Sequence, residues 1–264
     1  MSSVTHGRPT PGVMTAVATP ARDPRGRLDG QTVLVIGGSA GIGLETARLA
    51  REKGAALIIT ARHSDRLRRV ARELGAEATA FDVTDLEQLG RFFDELPRPI
   101  DHVLVTGPGP YYAPLAEIDI DKASRHVATH LLLPVQIARH APGKVRPGGT
   151  LLFMSGTSGR RTAPGFTLIA ALTGALPALA RNLALELAPI RVNLIAAGFV
   201  DTPLSAALLG DQLDARRAEL RATLPAGRVV GPADIAALAV HLMTNTAVTG
   251  ATYDIDGGQQ LLPS

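Results

Sequence analysis

The segment Gly37-Gly38-Ser39-Ala40-Gly41-Ile42-Gly43 follows a short apolar run, 32–36, and leads into helical spacing over 44–50. A strand that turns into a helix within so few residues needs glycine. Gly37 makes the tight turn, Gly41 lets the backbone come close to a bound group, and Gly43 lets helix and strand pack closely. This end of the chain is thereby committed to a βα unit. The alternation continues, with strand-like runs expected at 32–36, 56–61, 77–82, 102–105, 149–155, 191–196 and 252–255. Helical periods fall near 41–53, 64–74, 86–95, 120–140, 166–188 and 232–243. Such alternation builds βαβ units, and right-handed crossovers point to a doubly wound parallel α/β sheet of about seven strands. Residues 1–30 carry Pro9, Pro11, Pro20 and Pro24 without an apolar period and read as a disordered tail, leaving 31–264 as a single domain.

Composition narrows the function classes. The absence of cysteine among 264 residues excludes a disulfide framework and thiolate metal sites and fits a cytoplasmic setting; no metal is expected. A net charge of +3 and 3% aromatic content give no nucleic-acid signature. The continuous apolar runs fall short of the roughly 20 residues a bilayer-spanning helix needs, so no membrane partner is expected. Thr15 interrupts the apolar stretch 13–18 that a secretory leader would require.

The glycine turn at a helix N-terminus suits a pyrophosphate, because the free amides and the positive end of the helix dipole face it. Gly37, Ser39, Gly41, Ile42 and Gly43 are therefore read as dinucleotide-binding positions. The second expected strand ends Thr60-Ala61-Arg62-His63-Ser64. A carboxylate there would favour NAD, whereas the planar fork of Arg62 matches the 2′-phosphate of NADP(H), with Ser39, His63 and Ser64 as supporting donors. The competing reading is an arginine that caps a solvated loop.

The spacing G-x-x-x-G-x-G, with the motifs that follow it, resembles the short-chain dehydrogenase/reductase family over 31–260, and with it the Rossmann fold. Phe81-Asp82-Val83-Thr84 resembles the family segment that contacts adenine. Thr106-Gly107 after the fourth strand resembles the start of its Asn-Asn-Ala-Gly turn, without the asparagines. Ala197-Gly198-Phe199-Val200-Asp201-Thr202-Pro203 resembles its Pro-Gly segment, which implies a carboxamide contact at Thr202. Asp82, Val83, Gly107, Gly198 and Thr202 thus join the expected cofactor positions. The resemblance also implies a homodimer or homotetramer built on the helices near 120–140 and 166–188.

The family's chemistry uses a Tyr, a Lys four residues later, a Ser thirteen residues before the Tyr, and an Asn on the preceding helix. Aligning Ala178-Leu179-Ala180-Arg181-Asn182-Leu183 with the usual helix ending places Ile169 at the Tyr position, Thr173 at the Lys position, Gly156 at the Ser position and His130 at the Asn position. No Tyr or Lys occurs between Met154 and Pro189, so no shift of register restores the pair. Three readings stay open. Hydride transfer could go to a substrate that needs no strong acid, such as an iminium C=N or an activated C=C. Another residue could replace the phenol, with Tyr111, Tyr112, His130 and Ser155 as the catalytic candidates. Or the fold could bind cofactor or ligand without redox turnover, as a cyclising or isomerising enzyme or a non-catalytic partner.

Arg160 and Arg161, after the fifth strand at the site rim, are read as candidate partners of an anionic substrate, and Ser155 and Ser158 as hydroxyls for a carbonyl. Each candidate has a plainer role: the tyrosines as a packing surface, His130 as a core or helix-bulge histidine, Ser155 and Ser158 as backbone caps, Arg160 and Arg161 as solvated charges. Pro177 is expected to kink its helix. The segment 202–225 stands where the family has a substrate lid, and its apolar half suggests a substrate that is at least partly apolar.

Overall fold

The computed structural model describes residues 26–96, 99–107 and 109–262. Seven strands form one parallel sheet in the order β3-β2-β1-β4-β5-β6-β7. They are β1 Thr32–Ile36, β2 Ala56–Ala61, β3 Glu77–Ala80, β4 Ile100–Val105, β5 Val145–Gly156, β6 Arg191–Ala197 and β7 Thr252–Ile255. The chain order reverses between β1 and β4, and the crevice beyond their carboxyl ends is where such sheets bind ligands.

Two apolar layers cover the sheet. In β1 the side chains alternate, Val33 and Val35 to one face and Leu34 and Ile36 to the other, so both faces are buried. One layer adds α1 (Gly41–Glu52), α2 (Ser64–Leu74) and α9 (Pro232–Thr244), through Ala47, Leu67, Val70, Ile235 and Ala239. The other adds α3 (Leu86–Asp94), α5 (Leu133–His140) and α6 (Thr167–Glu186), through Leu89, Phe93, Ile137, Leu176 and Leu183.

Several expectations need correction. Leu28 is fully buried and its amide donates to the Lys53 carbonyl at 2.8 Å, so the folded unit starts before residue 31. The disordered tail expected for the residues before Gly26 lies outside the described residues. The helix expected over 120–140 is three pieces: α4 (Ile120–Val127), a π-helical turn (Ala128–Leu132) and α5. The lid segment contains two helices that the sequence reading did not place, α7 (Pro203–Leu209) and α8 (Leu213–Thr223).

Helix α6 runs unbroken through Pro177, which removes the donor that would reach the Thr173 carbonyl but does not end the helix. With 20 residues and a mean hydropathy of 1.5, α6 is long and apolar enough to cross a bilayer by those criteria. Counting continuous apolar runs missed this, because threonine, glycine and proline interrupt the run while its leucines and alanines keep the mean high. Its Leu172, Leu176, Ala180 and Leu183 side are buried.

Candidate active site

The glycine turn is built as its composition requires. The amides of Gly37 and Gly38 both donate to the Thr60 carbonyl, at 2.9 and 3.0 Å, which folds the chain back over β2. Gly37 has φ +90°, and a Cβ there would lie 2.1 Å from Thr106 Oγ1. At Gly43 a Cβ would lie 2.3 Å from the Gly37 carbonyl oxygen, so only glycine lets α1 start this close to the strand end. Ala40 at the N-cap of α1 supplies no side-chain cap. The first amides of the helix are therefore left for a ligand, next to the positive end of its dipole.

These features border a cleft of about 320 Å³ at the switch point. Of the expected cofactor positions, Gly37, Ser39, Gly41, Ile42, Gly43, Arg62, His63, Asp82, Val83, Gly107 and Thr202 line it. Gly198 does not. It packs instead against the end of the last strand, where a Cβ would come within 2.5 Å of both the Asp256 Cβ and Gln259 Oε1. Asp82 Oδ1 is held in place by accepting from the Thr84 amide (3.0 Å) and hydroxyl (2.8 Å). Thr202 caps α7 in a reciprocal box with Ser205.

Arg66, which the sequence reading passed over, also lines the cleft. It stands in the first turn of α2, while Arg62 lies just before that helix, and the two exposed arginines border the cleft at the end of β2. In the sequence Arg66 is indistinguishable from the other arginines of a solvated helix face. An uncapped helix N-terminus, a glycine cradle that any Cβ would fill, and two guanidinium groups at one end fit a phosphorylated dinucleotide.

Of the positions aligned with the catalytic tetrad, Gly156 and Thr173 come together, with Ile169 one turn from Thr173 on α6. A Cβ at Gly156 would lie 3.5 Å from Thr173 Cγ2 and 3.8 Å from Ser158 Oγ. Ile169 is buried at 3% exposure, and Thr173 Oγ1 turns back to donate to the Ile169 carbonyl at 2.8 Å. Ser155 Oγ is buried with no hydrogen-bond partner among the described residues.

Tyr112 reaches this spot. Its hydroxyl lies near Ser158, its ring packs on Phe166 at 5.3 Å between centroids, and 48% of the residue is exposed. Burial raises its pKa, opposed by the nearby Ser158 and the Arg216 charge, so the phenol keeps its proton through the neutral range. Tyr111 differs. Its hydroxyl accepts from the Asp119 amide at 3.0 Å and so ties the loop to the start of α4.

His130 lies in the π-helical turn and donates from Nδ1 to the His126 carbonyl at 3.0 Å, which leaves a lone pair on Nε2. His126 Nε2 accepts from the Tyr111 amide at 3.2 Å, and the two imidazoles lie 3.9 Å apart. Burial, and then the neighbouring His130, push the His126 pKa down to about 4, and burial lowers that of His130. Both rings are neutral near pH 7, and His130 is the helix-bulge partner that its plainer reading described.

Fold and cleft define a doubly wound dinucleotide-binding protein of the reductase type. Residues 37–260 match the family model described as Enoyl-(Acyl carrier protein) reductase, and the chain belongs to the short-chain dehydrogenase/reductase family. It is 30% identical to the short-chain dehydrogenase/reductase ATR9 of Stachybotrys chlorohalonatus, over 87% of this chain and 96% of that protein. Among solved structures, the MalC reductase/Diels-Alderase of Malbranchea aurantiaca superposes with a TM-score of 0.82 at 26% identity, over 89% of this chain and 98% of the other. A small-chain dehydrogenase in complex with NADPH superposes at 0.76, also at 26% identity, over 89% and 100% of the two chains.

Proposed function

We propose that the protein is an NADP(H)-dependent reductase that delivers hydride to an electron-poor C=N or activated C=C bond of a small organic molecule, with Tyr112 and Ser158 as its hydroxyl donors. The observation that carries this reading is the contrast between two adjoining surfaces. The dinucleotide cleft has its glycine cradle, open helix amides and paired arginines, whereas Gly156, Ile169 and Thr173 beside it bear no ionisable group.

NADPH, when bound, supplies the hydride. Arg62 and Arg66 would hold its 2′-phosphate and the α1 amides its pyrophosphate, with Thr202 as the residue for the carboxamide. An iminium carbon already carries the electron demand that a ketone acquires only by protonation, so Ile169 can stand where a proton donor would otherwise be needed. Where the product does require a proton, the Tyr112 hydroxyl, kept protonated by its burial and near Ser158, is the group placed to give it. The enzyme is read as cytoplasmic, with a small-molecule substrate and neither nucleic acid nor membrane as partner. As a homodimer or homotetramer it would associate along α4, α5 and α6.

Titration with NADPH and NADH, followed by fluorescence, tests the cofactor half: NADPH should bind at least tenfold more tightly, and binding of neither would refute the reading. Cyclic imines should then consume NADPH faster than the corresponding ketones do. A second reading, a non-redox cyclisation with cofactor as a structural element, draws support from the likeness to the MalC reductase/Diels-Alderase. It expects product to form with NADP⁺ or with no cofactor.

A further inference from the structure

Between the lid helix α8 and the C-terminal segment lies a second cavity, of about 220 Å³, bordered by Arg161, Arg216, Glu219, Leu220, Gln259 and Leu262. We infer that this cavity is a carboxylate-recognition cleft that holds the anionic end of the substrate, with Arg161 as its principal partner. The inference rests on the reductase reading for what happens at the other end of that substrate.

Charge is the first argument. Glu219 accepts from Arg216 at 2.6 Å, so one guanidinium in the cleft is already neutralised. Arg161 has no ion pair among the described residues, and its Nε is buried without a hydrogen-bond partner. A buried donor on a cation costs stability unless it is paired, and a planar guanidinium fits the two oxygens of a carboxylate. Arg160, the adjacent residue, is instead satisfied by Asp254. The neighbouring positions thus divide into one arginine that braces the fold and one whose partner is missing.

Chemistry of the remaining lining is the second argument. The Gln259 side-chain oxygen accepts from the Phe199 amide at 2.9 Å, which leaves the NH₂ group of that residue as the donor for an anion. Leu220 and Leu262 supply an apolar wall. The net charge of one positive unit from Arg161, Arg216 and Glu219 suits a monoanion on an aliphatic body better than a phosphate dianion.

Position is the third argument. The charge of Arg216, which borders this cavity, acts on Tyr112, whose hydroxyl lies near Ser158, three residues before Arg161. A molecule anchored by its carboxylate on Arg161 is therefore placed next to the proposed hydroxyl donors.

The test uses octanoate and 1-octanol as matched probes, titrated calorimetrically into the NADPH-loaded full-length protein. Octanoate should bind wild type at least tenfold more tightly than octanol. Its affinity should fall at least tenfold in both Arg161→Met and Arg216→Met, while the octanol affinity stays within twofold. Equal octanoate affinity in wild type and Arg161→Met, or equal affinity for the two probes in wild type, overturns the cleft. Inorganic phosphate that displaces octanoate at the same concentration as acetate does would leave the carboxylate assignment standing, and displacement at tenfold lower phosphate would overturn it. Thermal melts report whether each variant is folded, and Arg161→Lys, which keeps the charge, should regain part of the affinity if the loss is electrostatic. NADPH affinity, measured on the same samples, separates the two readings: NADPH binding without octanoate binding refutes only the cleft. Octanoate binding to a protein that does not bind NADPH refutes only the reductase.

Discussion

Ser158 lies beside the Tyr112 hydroxyl, and the Ser158 oxygen would sit 3.8 Å from a Cβ placed on Gly156. The hydroxyl pair thus borders the position where family reductases carry a serine. Loss of a positioned proton donor costs on the order of 10²-fold or more in rate. Tyr112→Phe should therefore lower kcat by about that factor on any substrate whose product needs a proton, with NADPH affinity unchanged. An unaltered kcat on such a substrate removes Tyr112 from the chemistry.

Tyr111→Phe serves as the contrast. It loses a hydrogen bond to the Asp119 amide that is worth about 1 kcal/mol. The expected outcome is a lower midpoint of thermal unfolding, with kcat within a few-fold of wild type.

Arg62 and Arg66 should separate the two nicotinamide cofactors. Charge-assisted bonds to phosphate contribute about 1.5–3 kcal/mol each, so Arg62→Ala should weaken NADPH roughly 10- to 100-fold and leave NADH almost untouched. Arg66→Ala should act in the same direction. Equal losses for the two cofactors in either variant would place that arginine away from the 2′-phosphate.

Acid should destabilise the fold through its buried histidines. Burial, with the Arg191 charge second, pushes His102 down to about 3, and His126 lies at about 4, whereas an unfolded chain titrates near 6.5. The unfolded state binds more protons throughout that interval. Stability is thus held above about pH 6.5 and lost as the pH falls toward the folded values, by up to about 1.4 kcal/mol per pH unit for each histidine. Urea unfolding at a series of pH values checks this, and His102→Met combined with Gln31→Leu should flatten the slope.

Arg191 is the largest single polar commitment in the core. Its guanidinium donates to the carbonyls of Leu242 and Met243 at 2.7 Å, Asn245 at 3.0 Å, and Val248 and Gly148 at 3.2 Å. It joins β6 to the C-terminal end of α9, where a cation also suits the helix dipole. Burial lowers its pKa to about 10, which still leaves it charged at neutral pH. Arg191→Met strands several buried acceptors and should cost roughly 3 kcal/mol or more, read as a shift in denaturant midpoint.

The strands and helices that glycine punctuates were legible almost to the residue. Gly54 and Gly75 end α1 and α2, and β1, β2 and α2 lie where their apolar periods predict. What escaped was set by geometry across the chain. The break at His130 has no proline or glycine within the π-helical turn itself; there the His130 ring bonds back to the His126 carbonyl, and Pro134 just beyond has no amide to donate to the His130 carbonyl. Thr202-Pro203 with Ser205 is a helix-start signature that was read as lid rather than as α7. The glycine loop was readable because backbone shape dictates its residues. Arg160 and Arg161 were legible only as a pair open to an anionic substrate, because two adjacent arginines look alike until one of them finds Asp254.

Helix α6 turns Leu172, Thr173 and Leu176 inward, while Ala171, Gly174, Ala175 and Ala178 on the other side are exposed. Exposed residues this small let a second helix approach closely, and Ala178→Glu should shift the protein toward monomer in light scattering if two copies meet there. Thr173 and Gly174 are consecutive, so no spacer separates the surface that would count subunits from the surface that would hold a substrate. Under the proposed reading, assembly and turnover would fall on opposite sides of one helix, and a change selected for either would be transmitted to the other.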